Sequence, residues 1–420
     1  MLVTGRAVSA ITFGLLLFIL PISQARGDGA GLAVRDYVAQ VLATHPALLA
    51  AQADVQAARA QLRADGKPLY NPELDLEYDN ALDNGARVGI TQRFNFVGKR
   101  QARKAVGAAE LRAAEARYQI IRKQLLGDLL RALASFQAAR ERRDLARNRV
   151  LLDEEFLAIA KRRWREGDIP QASLLTAQLA LAEARAERSA AELAFSRAQE
   201  ALNAITGRRD LPPPPLIGAP KGQVQDLSEE DILQLPEILL AQSETRVAQA
   251  LVQVARKARV PDPAISLNLG RERGGVDPLG RRERTTAFGL GLSVPLPVRN
   301  GFRAEVEAAR ARTLSAERNL ANMVRLIRAR VMESARRHRL AVEAWQEWQR
   351  QGQASLVEQR TLLRRLWRTG DIGVPEFLLQ INQTFATEEA GIAVREQLWT
   401  SWFDWLGASA RLNAWLESES

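Results

Sequence analysis

The stretch from Asn71 to Arg100 limits what this chain can become more than any other. Within it, Leu74, Leu76 and Tyr78 alternate with Glu73, Asp75, Glu77 and Asp79. An extended backbone therefore sends every apolar side chain to one face and every carboxylate to the other. After a polar turn around Asp83-Asn84-Gly85, a second segment sets Val88, Ile90, Phe94 and Phe96, with Gln92 the one polar exception, against Arg87, Gly89, Thr91, Arg93 and Asn95. The pattern predicts a β-hairpin with one apolar and one wet face. Its surroundings read differently: aromatics are sparse among 420 residues, and Ala, Leu, Arg, Glu and Gln are in excess, the composition of long packed helices. The question is why two-faced strands sit in a helical chain.

Arg6, the apolar run Ala10 to Leu20 and the small-x-small triplet Ser23-Gln24-Ala25 predict a secretory signal over residues 1–25. The chain has no cysteine, so disulfides and a lipidated cysteine are both excluded. After residue 26 no apolar run of about 18 residues occurs, so any membrane passage must be made by strands. The net charge of +10 comes from 59 basic and 49 acidic residues interleaved along helices, as in Arg140 to Asp144. That reads as solvated helix faces, not a nucleic-acid stripe, and no nucleic acid is expected as a partner.

Two halves follow the same plan. In the first repeat, 33–206, we expect a helix over 33–66 broken at His45-Pro46, the hairpin over 72–96, a helix over 99–165, a tip at 166–170 and a return helix over 171–206. The seam of the long helix reads Leu111, Tyr118, Leu125, Leu129, Ala132, Phe136 and Ala139. That of the return helix reads Leu174, Ala177, Leu181, Ala184, Ala191, Phe195, Ala198, Leu202 and Ile205. A proline-rich linker, 207–228, separates this from the second repeat, 229–406: helix 236–259, hairpin 263–296, helix 301–368, tip 369–373 and helix 374–406, with a tail over 407–420. In the second hairpin Ile265, Leu267 and Leu269 point outward on one strand, and after a polar loop from Arg271 to Glu283 Phe288, Leu290, Leu292, Val294 and Leu296 alternate with Ala287, Gly289, Gly291 and Ser293 on the next. Trp164-Arg-Glu-Gly-Asp-Ile169 returns as Trp367-Arg-Thr-Gly-Asp-Ile372, 203 positions on, with five of six residues identical. This repetition predicts an internal duplication.

Strands of about ten residues suit a tilted crossing of a bilayer, yet four cannot close on themselves. Two copies would give an eight-stranded barrel filled by side chains, and three a twelve-stranded barrel with a water-filled lumen. The long helices, about 100 Å at 1.5 Å per residue, exceed any compact domain. A soluble sheet capped by helices would need an amphipathic helix to cover the apolar face, and none is evident.

Asn71-Pro-Glu-Leu74, Gly98-Lys-Arg100 with Arg103, and the paired Gly-Asp-Ile tips together resemble the TolC-type outer-membrane efflux family, with the first two motifs most similar to its CzcC-like heavy-metal branch. The resemblance covers about Ala33 to Leu406. It implies a mainly α fold with a small β part: a homotrimer with a twelve-stranded barrel in outer-membrane lipid on a long α-helical barrel in the periplasm. It further implies a passive duct docked to a periplasmic adaptor (membrane fusion) protein and an inner-membrane RND-type pump. Adaptor docking carries over to Gly167, Asp168 and Ile169 and to Gly370, Asp371 and Ile372, and a periplasmic gate to Asp371 and Glu376. Multidrug or organic-toxicant efflux, and a soluble periplasmic coiled-coil adaptor or scaffold, are the alternative readings.

Glu73, Asp75, Glu77 and Asp79 are expected to line the lumen against Arg87 and Arg93, either favouring cations or simply pairing across strands. Asp168 and Asp371 are candidate helix N-caps. His45 reads as a helix-boundary residue, and the Trp345/Trp348 and Trp399/Trp402/Trp405 groups as helix packing. His45 and His338 stand far apart and cysteine is absent, so no metal-ligand set is legible. No phosphate loop, nucleophile elbow or histidine-carboxylate arrangement appears either, so neither a cofactor nor an enzymatic activity is expected.

Overall fold

In the computed structural model, residues 29–79, 85–276 and 282–418 are described. The signal segment 1–25 and the turn residues Asp83 and Asn84 lie outside them. Helices α1 (Gly29–Thr44) and α2 (Pro46–Asp65) break at His45, whose Nδ1 accepts the Ala47 N–H at 3.2 Å while Pro46 occupies the first helical position. Strands β1 (Glu73–Asp79) and β2 (Gly85–Arg93) lead to α3 (Lys99–Glu166), whose 68 residues span about 100 Å. The chain returns along α4 (Gln171–Thr206), crosses the linker to the short α5 (Glu229–Leu233) and enters α6 (Pro236–Ala258). Strands β3 (Ala264–Val276) and β4 (Arg282–Ser293) then precede α7 (Arg303–Glu347), a π-helical segment (Trp348–Gln353), α8 (Ala354–Thr369), α9 (Val374–Ala408) and α10 (Leu412–Ser418).

Several expected boundaries change. The helix expected over 301–368 is interrupted by the π segment, where the Trp348 indole lies so close to Gly391 of α9 that a Cβ there would sit 2.1 Å from it. Strands β3 and β4 take up both ends of the loop expected from Arg271 to Glu283, pairing as far as Val276 with Arg282. The tail folds α10 onto the waist through Leu412 and Trp415.

The seam expected for α3 is displaced over its first part, whereas Leu129 and Ala139 are buried as expected and Ala132 and Phe136 pack against the core. The buried positions of α3 are Ala102, Ala109, Ala113 and Ala116, then Leu126, Leu129, Leu130 and Leu133, while Leu111, Tyr118 and Leu125 are only half-buried. The helix touches α2, α4, α6 and α9, so it is flanked on two sides. Small residues at those flanks let backbones approach, and the single leucine stripe of a two-helix coil is not required. By contrast, α4 buries Leu174, Ala177, Leu181, Ala184 and Leu202 on the expected face.

Two cores hold the helices. At the waist, Val38, Val41, Leu126, Leu129, Leu130, Leu133, Trp402, Trp405 and Leu412 pack under the linker. There Gln137 clamps Leu216 through both its amide groups, at 2.6 and 2.8 Å, and Trp399 Nε1 donates to the Gly218 carbonyl at 3.1 Å. At the far end Phe156, Trp367 and Phe377 stack at centroid distances of 4.5 to 5.3 Å. Each fully buried side chain of this size contributes roughly 1.5–3 kcal/mol.

Candidate functional site

The four strands form one antiparallel sheet in the order β1-β2-β3-β4. Register stacks the side chains into rows, because residues directly opposite across an antiparallel pair share a face. Leu74, Ile90, Leu267 and Leu290 make one row, and Leu76, Val88, Leu269 and Phe288 the next. These rows are uncovered: Leu76 is 72% exposed, Phe288 73% and Leu290 70%. Among the described residues no helix lies over them. The opposite face carries Glu73, Thr91, Ser266 and Gly291, then Asp75, Gly89, Asn268 and Gly289, then Glu77, Arg87, Gly270 and Ala287.

On that polar face two of the acids, Glu77 and Asp75, are partnered across strands. Arg87 Nη1 donates to Glu77 Oε2 at 2.9 Å and Thr91 Oγ1 to Asp75 Oδ2 at 2.8 Å. Arg93, at the foot of β2, places its guanidinium 5.0 Å from the Tyr70 ring centroid. Asp79 pairs with Gly85 along the ladder. Small residues fill the rest: a Cβ on Gly89 would meet Asn268 Oδ1 at 2.1 Å. The two outer strands, β1 and β4, each have one ladder edge with no partner strand among the described residues.

At the far end of the helices the two tips lie side by side. Gly167 and Gly370 adopt φ of 85° and 87°, a left-handed turn that glycine makes without Cβ strain. Gly167 and Asp168 N–H groups donate to the carbonyls of Trp164 and Arg163 at 3.1 and 2.9 Å, and those of Gly370 and Asp371 both donate to Leu366 at 3.1 and 3.0 Å. The aspartates do not cap the next helices, because α4 begins after Pro170 and α9 after Gly373. Asp371 accepts instead from the Thr369 hydroxyl. Gly167, Asp168, Gly370, Asp371 and Glu376 are exposed, whereas Ile372 is buried and Ile169 half-buried against the aromatic core. Arg368 bridges the two hairpins to Glu155 at 2.7 Å.

Sequence reasoning missed two buried polar groups. Toward the tip, Arg149 joins α3, α4 and α9: it pairs with Glu187, donates to Asn382 Oδ1 at 3.1 Å, and lies 3.8 and 3.9 Å from Glu183 and Asp153. Asp153 is buried with Oδ2 making no hydrogen bond. Burial pushes its carboxyl up to about 6, with Glu187 and Glu183 adding to the shift and Arg149 opposing it. At the waist, His338 Nδ1 lies 3.0 Å from Ser401 Oγ and its ring 5.0 Å from that of Trp402. Burial lowers its pKa to about 4. An isolated histidine or arginine in a helical stretch carries no sequence signal that it is buried. Among the described residues no three carboxylate or histidine side chains converge as a metal-ligand set.

Residues 37–208 and 227–404 match the outer membrane efflux protein family. The nickel-cobalt-cadmium resistance protein NccC of Alcaligenes xylosoxydans xylosoxydans is 29% identical over 298 residues, covering 67% of this chain and 64% of that protein. The nickel and cobalt resistance protein CnrC of Cupriavidus metallidurans is 28% identical over 317 residues, covering 68% of this chain and 70% of the other. In fold, the chain is similar to the CmeC outer membrane channel of Campylobacter jejuni, with a TM-score of 0.74 at 16% identity over 92% of this chain and 89% of that one. It is likewise similar to CusC, with a TM-score of 0.74 at 18% identity over 90% and 92%.

Proposed function

Because the chain belongs to the outer membrane efflux protein family, we propose that it is a passive duct in the outer membrane that releases heavy-metal cations delivered by a periplasmic adaptor and an inner-membrane pump. The observation that carries this reading is the four-stranded sheet, apolar and uncovered on one face, polar on the other, and open at both edges. In hydrocarbon an open edge leaves backbone groups unpaired at several kcal/mol each. Three copies close it: twelve strands leave a wet lumen, whereas eight would be filled by side chains. The chain is read as an internal duplication, its second repeat supplying β3 and β4. Below the barrel the helix pairs continue the wall across the periplasm.

In that assembly Glu73, Asp75, Glu77 and Asp79, with Arg87 and Arg93, line the water path. The exposed tips present Gly167, Asp168, Gly370 and Asp371 to the adaptor, with Ile169 and Ile372 sealing the core behind them, and Asp371 and Glu376 stand at the periplasmic entrance. The duct does no chemistry and needs no cofactor; cargo is selected by the pump. Metal cargo is favoured by the names of NccC and CnrC. The test is deletion of the gene followed by growth on Co, Zn, Cd, Ni, Cu and Ag salts and on hydrophobic drugs. Sensitivity to metal salts, reversed by the intact gene, is the expected result. Sensitivity to drugs alone would overturn the metal assignment, and unchanged growth on every compound would overturn export.

A further inference from the structure

We propose that a cationic cleft at the foot of the sheet holds the phosphate of an anionic phospholipid in the leaflet that borders the helices, an inference that rests on reading the sheet as membrane-spanning. Where strands pass into helices, Arg259 and Arg299 line a cleft of about 480 Å³ together with Tyr70, Lys99, Asp262 and Arg93, the last reaching it from the wet face of β2. Asp262 is already engaged, since Tyr70 Oη and Lys99 Nζ both donate to its Oδ2 at 2.8 Å. That pairing cancels the charge of Lys99. Arg259 directs its Nε–H to the Gly301 carbonyl at 3.1 Å, and Arg93 stacks over Tyr70. None of the three arginines is paired with a carboxylate among the described residues, so the cleft keeps an excess of positive charge.

The apolar neighbours point to a lipid as the source of the phosphate. Leu296 and Phe96 are each 74% exposed and Val298 85%, and Arg299 follows directly along the chain. Uncovered aliphatic groups thus give way to guanidinium groups at the foot of the apolar rows, in the order in which acyl chains give way to a headgroup. Guanidinium forks match phosphate oxygens in pairs, and basic pockets at a membrane surface gather anionic headgroups. A free phosphate would use the arginines but not the apolar flank.

The test uses the full chain carrying Phe96→Trp as a fluorescent reporter, reconstituted in phosphatidylcholine vesicles. All eight native tryptophans lie in the helical part, so bilayer quenchers report the introduced indole. Brominated phosphatidylglycerol is expected to quench it in preference to brominated phosphatidylcholine, by about fivefold for each arginine–phosphate contact. Adding Arg259→Gln and Arg299→Gln should abolish that preference while quenching by brominated phosphatidylcholine persists. Equal quenching by the two lipids in the parent, or a preference that survives both glutamines, would overturn the site. Loss of the preference in phosphate buffer but not in chloride of equal ionic strength would reassign the cleft to free phosphate. No quenching by either lipid would overturn the membrane-spanning reading, and the cleft proposal with it.

Discussion

Replacing Leu290 by arginine separates a lipid-facing sheet from a water-facing one. Leu290 lies mid-ladder in β4, opposite Leu267, and is 70% exposed in the protomer. If that face met water, Leu290→Arg would change stability by no more than about 0.5 kcal/mol, as at most surface positions. If it meets hydrocarbon, an arginine near the bilayer midplane costs about 2–4 kcal/mol. In a barrel closed by three copies, as proposed, the penalty would sum to about 6–12 kcal/mol. Ala287 supplies the control, because it stands three residues earlier, on the opposite face, in the row of Glu77 and Arg87. Ala287→Arg keeps its charge in the wet lumen and should fold almost as well as the parent. Urea titrations of folding into phospholipid vesicles, read by heat-dependent gel mobility, compare the three proteins. Equal stability of both variants, or a greater loss with Ala287→Arg, would refute the assignment of faces.

Acid should act on the two buried groups in opposite directions. His338 has a folded pKa of about 4, below its ordinary 6.5, so it binds fewer protons folded than unfolded and removes about 3 kcal/mol as pH falls from 6.5 to 4. Asp153, raised from 3.8 to about 6, binds more protons folded and returns a similar amount between pH 6 and 3.8. Asp153→Asn should therefore turn a nearly flat stability profile into one that falls with acid, measured by thermal melts across that range; an unchanged profile counts against the burial of the carboxyl. Gly391→Ala places a methyl 2.1 Å from the Trp348 ring and should cost about 1–3 kcal/mol, but close to nothing in a Trp348→Leu background; equal costs in both backgrounds would disprove the contact. At the tips, Gly370→Trp or Asp371→Arg should leave the oligomer intact and abolish resistance to the exported substrate; a resistant strain carrying either change would remove the docking role.

What could be read from the sequence follows from how each element meets its neighbours. The strands were legible because a sheet with two different solvents enforces strict alternation, and Leu74-Asp75-Leu76-Glu77 states it directly. The α4 stripe was legible because its buried face is a continuous 3-4 repeat. On the first part of α3, alanine serves as contact residue on two flanks and as neutral filler elsewhere, so the larger Leu111 and Tyr118 drew the seam off the buried face there, while from Leu129 to Ala139 it was legible. The π segment was hidden because nothing in Trp348 to Gln353 marks it locally, and the Gly391 that Trp348 packs against lies 43 positions away in sequence. Asp168 and Asp371 suggested caps, yet two more residues in each tip, Ile169-Pro170 and Ile372-Gly373, postpone the helix start.

Ring closure can be measured by disulfide trapping, since the chain contains no cysteine of its own. Within one protomer β1 and β4 are separated by three inter-strand steps, about 14 Å, well beyond the roughly 7 Å limit on Cα separation for a disulfide. A single cysteine at Leu74 is combined, one at a time, with a cysteine at Phe288, Leu290 or Leu292, and the proteins are oxidised in isolated outer membranes. A covalent ladder that ends at three protomers for at least one pairing is the predicted result. Monomer alone for every pairing, with the sheet folded, would contradict a wall completed by sister chains.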